Sequence, residues 1–366
     1  RRRLSLSAAA AFTMSMPTRS CCAGKFTVPV VGVGTWQFGS AEGEYWGARD
    51  QEQSNAIAAK AMEKGAAFFD CAEAYQSGRA ESALAVALAA ANAPADTIVA
   101  TKIVPNKCSP KGQPGAVRAE LVASLARLKR PSVYLYQVHW PLPLEDGDDA
   151  AAPSLATTFA ELATLQKEGL IVHVGVSNFG PTQLRAALAT GVTIATNQLL
   201  YNLVSRAIEF ELAALCREHD VGIICYSPLL QGLLTDKGVA TPLDALDPLR
   251  TRTVHFAGTR EKSRHGGPGA EAELAAALAQ IGTIAKREGV SVATLALAWC
   301  LANPAVVAII PGASSAAHVE ANVAGATYAL SAAVKAELDA ATEPVKAALG
   351  PKLLDPYQGE ATQRSW

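Results

Sequence analysis

Phe68-Phe69-Asp70-Cys71-Ala72-Glu73-Ala74-Tyr75 decides how this chain is read. Residues 66–69 are apolar and read as a strand. Asp70 ends it, and a short polar loop follows with Tyr75 inside it. Two later apolar runs end in the same manner. Ile98-Val99-Ala100-Thr101 delivers Lys102, and Val133-Tyr134-Leu135-Tyr136-Gln137-Val138 delivers His139. An acid, a phenol, an ammonium and an imidazole on successive strand ends make a proton-transfer set, provided a closed sheet brings those ends together.

Outward from this stretch, strands and helices alternate. Apolar strand-like runs occupy 30–36, 66–71, 97–102, 133–138, 171–176, 193–198, 222–226 and 305–310. Helical periodicity follows each of them, over 53–65, 79–92, 114–129, 154–168, 181–190, 206–219, 271–302 and 315–325. The strands are apolar nearly throughout, as parallel strands buried on both faces are. Eight such units, at about 30 residues each, predict a single-domain (β/α)8 TIM barrel over 28–343. A doubly wound open sheet fits the same alternation. Residues 230–270 break the rhythm and carry a basic run with Lys262, Arg264 and His265. So long a connection in a compact barrel is usually functional. One more amphipathic helix follows Leu330, and residues 344–366 read as an irregular tail.

The ordered motifs FFDCAEAY, ATK, YQVHWP, VGVSNF, CYSPL and IIPGASS resemble the aldo/keto reductase superfamily. Any one of these is weak alone. Asp70 would serve as a strand-end cap, Lys102 as a solvated lysine, His139 as a packed loop residue and VSNF as a helix N-cap. The six in order are specific, and they choose the barrel over the open sheet. The resemblance implies a catalytic tetrad of Asp70, Tyr75, Lys102 and His139. Physical chemistry suits these roles. A free phenol has a pKa near 10, and a neighbouring ammonium lowers it. Asp70 can hold Lys102 charged, and His139 can orient a carbonyl. Tyr75 then acts as the general acid.

Side chains do not carry hydride, so a cofactor must. The sequence has no complete GxGxxG fingerprint; Gly32-Val33-Gly34 lacks the third glycine. The resemblance implies a nicotinamide dinucleotide across the barrel mouth. Thr35, Trp36, Ser177, Asn178, Gln198 and Tyr226 match contacts to the nicotinamide end. Ser227, Leu229 and Gly232 match the pyrophosphate loop. Gly312, Ser314, His318 and Asn322 match the adenosine end, where many family members carry Arg or Lys. This sequence has serines and a histidine there, so NADPH is expected with only about ten- to a hundredfold preference over NADH. His318, or Lys262 and Arg264 from the long connection, would supply the positive charge. Trp36, Trp46, Trp140 and Phe179 are expected to line the substrate pocket. They suit an apolar or aromatic carbonyl, or a flat ring such as pyridoxal.

The reading is therefore an NADPH-dependent reductase of aldehydes or ketones. Two rivals carry the same residues. One is a cofactor-binding regulatory subunit of the potassium-channel β type with little turnover. The other is a barrel lyase or isomerase using Tyr and Lys. The formal net charge of −1 gives no electrostatic case for nucleic acid or a membrane surface. Neither CxxC nor HExxH occurs, so no metal site is expected. Seven scattered cysteines, several inside apolar runs, read as reduced thiols. Residues 1–27 carry basic side chains and no acid; the first acidic residue is Glu42. That composition reads as a transit peptide directed to a plastid, on a chain otherwise expected in the cytoplasm. A disordered leader, or a start at Met14 or Met16, explains it equally. In either case residues 1–27 are expected to be dispensable.

Overall fold

The computed structural model describes residues 16–144, 151–247, 253–257 and 269–353. Ten strands are present among them: β1 Thr18–Cys21, β2 Phe26–Pro29, β3 Val33–Gly34, β4 Phe68–Asp70, β5 Ile98–Ile103, β6 Val133–Val138, β7 Ile171–Ser177, β8 Ile194–Leu200, β9 Gly222–Tyr226 and β10 Val306–Ile310. Strands β3 to β10 are all parallel and pair in chain order. Parallel bridges Val31–Ile309 and Gly34–Gly312 join the last strand to the first. The sheet is thus closed, and the barrel expectation holds against the open sheet. Regular pairing of β3 covers only two residues, fewer than the apolar run 30–36 suggests.

The helices are α1 Gln51–Glu63, α2 Arg79–Ala90, α3 Ala116–Leu128, α4 Leu155–Lys167, α5 Pro181–Ala189, α6 Leu212–Glu218, α7 Asp236–Ala240, α8 Glu271–Glu288, α9 Val292–Leu301, α10 Ala316–Ala326 and α11 Ala332–Leu349. Side-chain caps start several of them. Asp50, Ser154, Ser291, Ser315 and Ser331 each accept from the backbone N–H three residues on. The helical stretch 271–302 is two helices. Gly289, at φ 66°, ends the first in the left-handed region, and Ser291 caps the second. The predicted helix 206–219 is a 3₁₀ turn followed by α6.

Inside the barrel, period-two alternation sorts side chains by height. On the inner positions of β4, β5 and β6, Phe68, Ala100 and Leu135 fill an apolar lower layer. One step up lie Asp70, Lys102 and Gln137, buried and joined by hydrogen bonds. The polar residues therefore gather at the strands' C-terminal ends, where this fold places its sites.

Two sequence expectations are corrected here. The first concerns residues 16–27, expected to be a dispensable leader. Instead β1 and β2 form an antiparallel hairpin that closes the barrel floor. Phe26 is fully buried, 5.4 Å from the Tyr134 ring and 5.2 Å from the His173 ring. The Arg19 guanidinium donates to the Val306 and Leu301 carbonyls at 2.6 and 2.7 Å. Cys21 fits so closely that a Cβ on Gly222 would come within 2.7 Å of its Sγ. Residues 1–15, where any targeting segment would begin, lie outside the described residues. A chain starting at Lys25 loses β1 and uncovers the apolar interior. Hydrogen bonds to a charged group are worth about 1.5–3 kcal/mol each. We therefore expect that truncation to lower the melting temperature by at least several degrees in a thermal scan. An unchanged transition would show that the hairpin is a passive cover.

The second correction concerns the tail. Helix α11 runs through Pro344 to Leu349. Proline removes one helical hydrogen bond. Burial of Val345 and Leu349 on its inner face offsets that loss, and Arg206 fixes the preceding turn by donating to the Asp339 carbonyl at 2.9 Å. Residues 354–366 lie outside the described residues, as do Lys262, Arg264 and His265 of the long connection.

Candidate active site

The strand ends deliver the four expected side chains to one point. Lys102 is fully buried at the end of β5, and three groups meet the three hydrogens of its ammonium. Its Nζ donates to Asp70 Oδ1 at 2.5 Å, to the Cys71 carbonyl at 2.8 Å and to Tyr75 Oη at 3.2 Å. The other carboxylate oxygen of Asp70 accepts from Gln198 Nε2 at 2.7 Å and from Gln137 Nε2 at 3.2 Å. Every lone-pair direction that matters is used, as a buried ion pair requires. The loop from Asp70 to Tyr75 then turns sharply. Gln76 and Ser77 stand at φ 49° and 53°, the left-handed region that non-glycine residues seldom occupy. The Gln76 amide holds this turn by donating to the Trp36 carbonyl.

Burial pushes the Tyr75 phenol up to about 12, although Lys102 pulls the other way. The side chain is partly covered by protein and lines the cavity. This reverses the expectation of a lowered pKa, because desolvation of the phenolate outweighs the ammonium's attraction. Burial alone would lower the Lys102 ammonium, but Asp70 and then Tyr75 more than offset it and hold it up at about 12. Burial, aided by the charge on Lys102, keeps His139 well below the usual histidine range. The imidazole is therefore neutral at physiological pH, with its ring 5.7 Å from that of Tyr75.

A cavity of about 1070 Å³ opens above this cluster. Its wall runs from Tyr75 and His139 past Tyr226 to Ser314 and His318. Thr35, Trp36, Ser177, Asn178, Gln198, Ser227, Leu229, Gly232 and Gly312 also face it. Asn178 is a junction: its Nδ2 donates to the His139 carbonyl at 3.0 Å, and its Oδ1 accepts from the Tyr226 hydroxyl at 2.9 Å. Trp36, Trp46 and Trp140 line the cavity as expected. Trp36 stacks on Tyr45 at 5.6 Å and meets Trp46 edge-on at 5.0 Å. Phe179 does not join them. It is fully buried in the core behind β7, so its assignment to the pocket is corrected. Asn322 is absent from the wall as well. Its amide donates to the Gly312 carbonyl at 3.4 Å and so braces the loop before α10.

The residues present fit a nicotinamide dinucleotide. Three nitrogens on this wall are buried without a partner among the described residues: His139 Nδ1, Trp46 Nε1 and Arg49 Nε. Buried polar groups are normally paired, so these point to a ligand rich in acceptors. Gly232, at φ 99°, has open space where a Cβ would stand. Gly312 leaves room beside Gln37, and backbone can approach a ligand closely at both places. Among the described residues no group of three His, Cys, Asp or Glu could hold a metal ion, and no helix is long and apolar enough to cross a membrane.

Sequence reading missed several members of the site. Gln137 could have been found, since it shares the inward parity of Leu135. Tyr45 and Arg49 carried no such signal, because the segment before α1 lacks periodicity. Glu73 is buried, and burial, with Glu120 beside it, raises its carboxyl to about 7. It accepts from the Val104 N–H at 3.0 Å and ties the Tyr75 loop to β5.

A family model described as "Aldo/keto reductase family" matches residues 30–343. An uncharacterized oxidoreductase of Mycobacterium tuberculosis is 33% identical over 325 residues, 87% of this chain and 89% of that protein. A pyridoxal reductase, chloroplastic, of Arabidopsis thaliana is 30% identical over 321 residues, 82% of this chain and 79% of that one. Among solved structures, an aldo/keto reductase from Klebsiella pneumoniae in complex with NADP and acetate matches with a TM-score of 0.64 and 28% identity. That match covers 86% of this chain and 91% of the other.

Proposed function

Because the chain belongs to the aldo/keto reductase family, and is an NAD(P)H-dependent oxidoreductase, we propose that it reduces a flat, apolar or heteroaromatic aldehyde or ketone with Tyr75 as general acid. One observation carries this reading: Lys102 Nζ joins Asp70, the Cys71 carbonyl and the Tyr75 hydroxyl at the floor of an aromatic-walled cavity. A nicotinamide cofactor, when bound, supplies the hydride. Thr35, Trp36, Asn178, Gln198 and Tyr226 would hold its nicotinamide end, Ser227 to Gly232 its pyrophosphate, and Gly312 to His318 its adenosine. NADPH is the expected form, with NADH as the alternative.

The protein's own part is to place the carbonyl and to move one proton. The neutral His139 offers a hydrogen bond to the carbonyl oxygen and adds no charge beside Lys102. Tyr75 gives its proton to that oxygen as negative charge develops on it. Lys102 stabilises the phenolate left behind, and Asp70 with Gln137 and Gln198 keeps the ammonium from turning away. The wall of Trp36, Trp46 and Trp140 selects the substrate by stacking. The Arabidopsis relative named as a pyridoxal reductase is consistent with a flat heteroaromatic aldehyde here. The oxidoreductase relatives do not favour the regulatory-subunit reading.

NADPH oxidation against a panel of carbonyls tests this. Pyridoxal and benzaldehydes are expected to show higher kcat/KM than short aliphatic aldehydes. Trp46→Ala should lower kcat/KM for the aromatic members by about three- to tenfold, the worth of one aromatic pair, and spare the aliphatic ones. An enzyme that oxidises NADPH with none of them, or prefers the aliphatic series, overturns the proposal.

A further inference from the structure

The segment 312–318 offers no arginine or lysine, yet the wall at that end of the cavity carries one. Arg49 reaches it from the segment between β3 and α1, 265 positions from its contact. Its Nη1 donates to the Ser314 carbonyl at 2.9 Å and to Gln53 Oε1 at 3.2 Å. Its Nε is buried without an acceptor. Among the described residues no carboxylate lies within ion-pair distance of it. Asp50, the next residue, turns its Oδ1 to the Gln53 N–H at 2.6 Å and caps α1. Lys60 and Lys64 pair with Glu63 and Glu320, and Arg79 pairs with Glu44. His318 engages its Nδ1 with Ser314 Oγ at 2.8 Å. Arg49 is thus a half-buried guanidinium with an unmet donor, beside the loop that would take adenosine.

We propose that Arg49 recognises the 2′-phosphate of NADPH from the β3–α1 side of the groove and so sets the choice of NADPH over NADH. The guanidinium fork suits a phosphate, and the unpaired Nε–H with its neighbouring amine forms the edge that two phosphate oxygens can share. Packing of Nη1 on Ser314 fixes the fork's direction, so little side-chain freedom is lost on binding. Ser314 and Ser315 add hydroxyls, but the charge comes from Arg49. This inference rests on the placement of adenosine along Gly312 to His318 proposed above.

Binding of NADPH, NADH, adenosine 2′,5′-bisphosphate and 5′-AMP, followed by calorimetry or tryptophan quenching, tests it without turnover. Arg49→Ala should weaken NADPH and the bisphosphate by about ten- to a hundredfold and leave NADH and 5′-AMP within about twofold. Arg49→Lys should fall between, keeping charge and losing the fork. Unaltered NADH affinity also shows that each variant is folded. Between about pH 6 and pH 8 the wild-type preference should hold or rise, since arginine stays charged and a phosphate monoester gains its second charge near pH 6. A preference carried by His318 would instead disappear in His318→Ala. Equal loss of both dinucleotides in Arg49→Ala overturns the proposal, because it marks a pyrophosphate or structural role. So does no loss, or a preference that disappears in His318→Ala. Should the wild-type protein bind none of the four ligands, the adenosine placement itself is wrong. If all bind and Arg49→Ala keeps the preference, only the role of Arg49 is.

Discussion

Tyr75→Phe is expected to lower the rate of carbonyl reduction by at least about a hundredfold and to leave cofactor affinity unchanged. The change removes one oxygen and little else. The ring keeps its place beside Trp36, 5.9 Å away. Lys102 keeps its bonds to Asp70 and Cys71. What disappears is the proton that a developing alkoxide would take. Burial holds the phenol up at about 12, so the donor form persists at all working pH values. The sign follows directly. Tyr75 stays protonated from about pH 6 to pH 9, a range below its raised value, so its ionisation should add no limb to the reduction profile there. Transient kinetics with saturating NADPH would separate the chemical step from product release. A Phe variant within a few-fold of wild type in that step would remove Tyr75 from the mechanism.

The second large effect concerns stability as much as rate. Asp70→Ala should cost about 3–5 kcal/mol, the usual penalty for stranding one partner of a buried ion pair. Lys102 has no exposure to water, and both oxygens of Asp70 are in use. Alanine leaves the ammonium desolvated and the amides of Gln137 and Gln198 without their acceptor. The pair Asp70→Asn with Lys102→Met removes both charges and keeps a polar group for the two glutamines. It should recover most of the lost stability and none of the activity. Denaturant unfolding of the two variants, beside their NADPH-dependent rates, makes the check. Asp70→Ala within about 1 kcal/mol of wild type would mean that water reaches Lys102 and the pair is not truly buried.

The sequence by itself determined eight apolar strands alternating with helices and the polar residues that close them, and the resemblance carried by its six ordered motifs chose the barrel over the open sheet. Those features are local. Parallel strands joined by helices all end on one side of the sheet. A polar residue that closes an apolar strand therefore lies at the mouth wherever in the chain it occurs, as Asp70, Lys102 and His139 do. The tertiary structure decided the rest. Residues 18–27 read as part of a leader because two short strands with one face on the barrel floor lack a long apolar run; their partners, Ala195 and Val306, lie 174 and 287 positions on. Phe179 follows Asn178 directly, yet the left-handed turn at Asn178 directs the two side chains to different places. The direction of the Tyr75 shift is a sum over desolvation by packed neighbours and the field of Lys102, 27 positions away. Arg49 meets Ser314 only because closure of the barrel sets the first helix beside the last strand's loop. Strand direction and the inward or outward sense of a side chain are written in neighbouring residues. Desolvation and contact across the barrel depend on groups hundreds of positions apart, and only the closed fold brings those together.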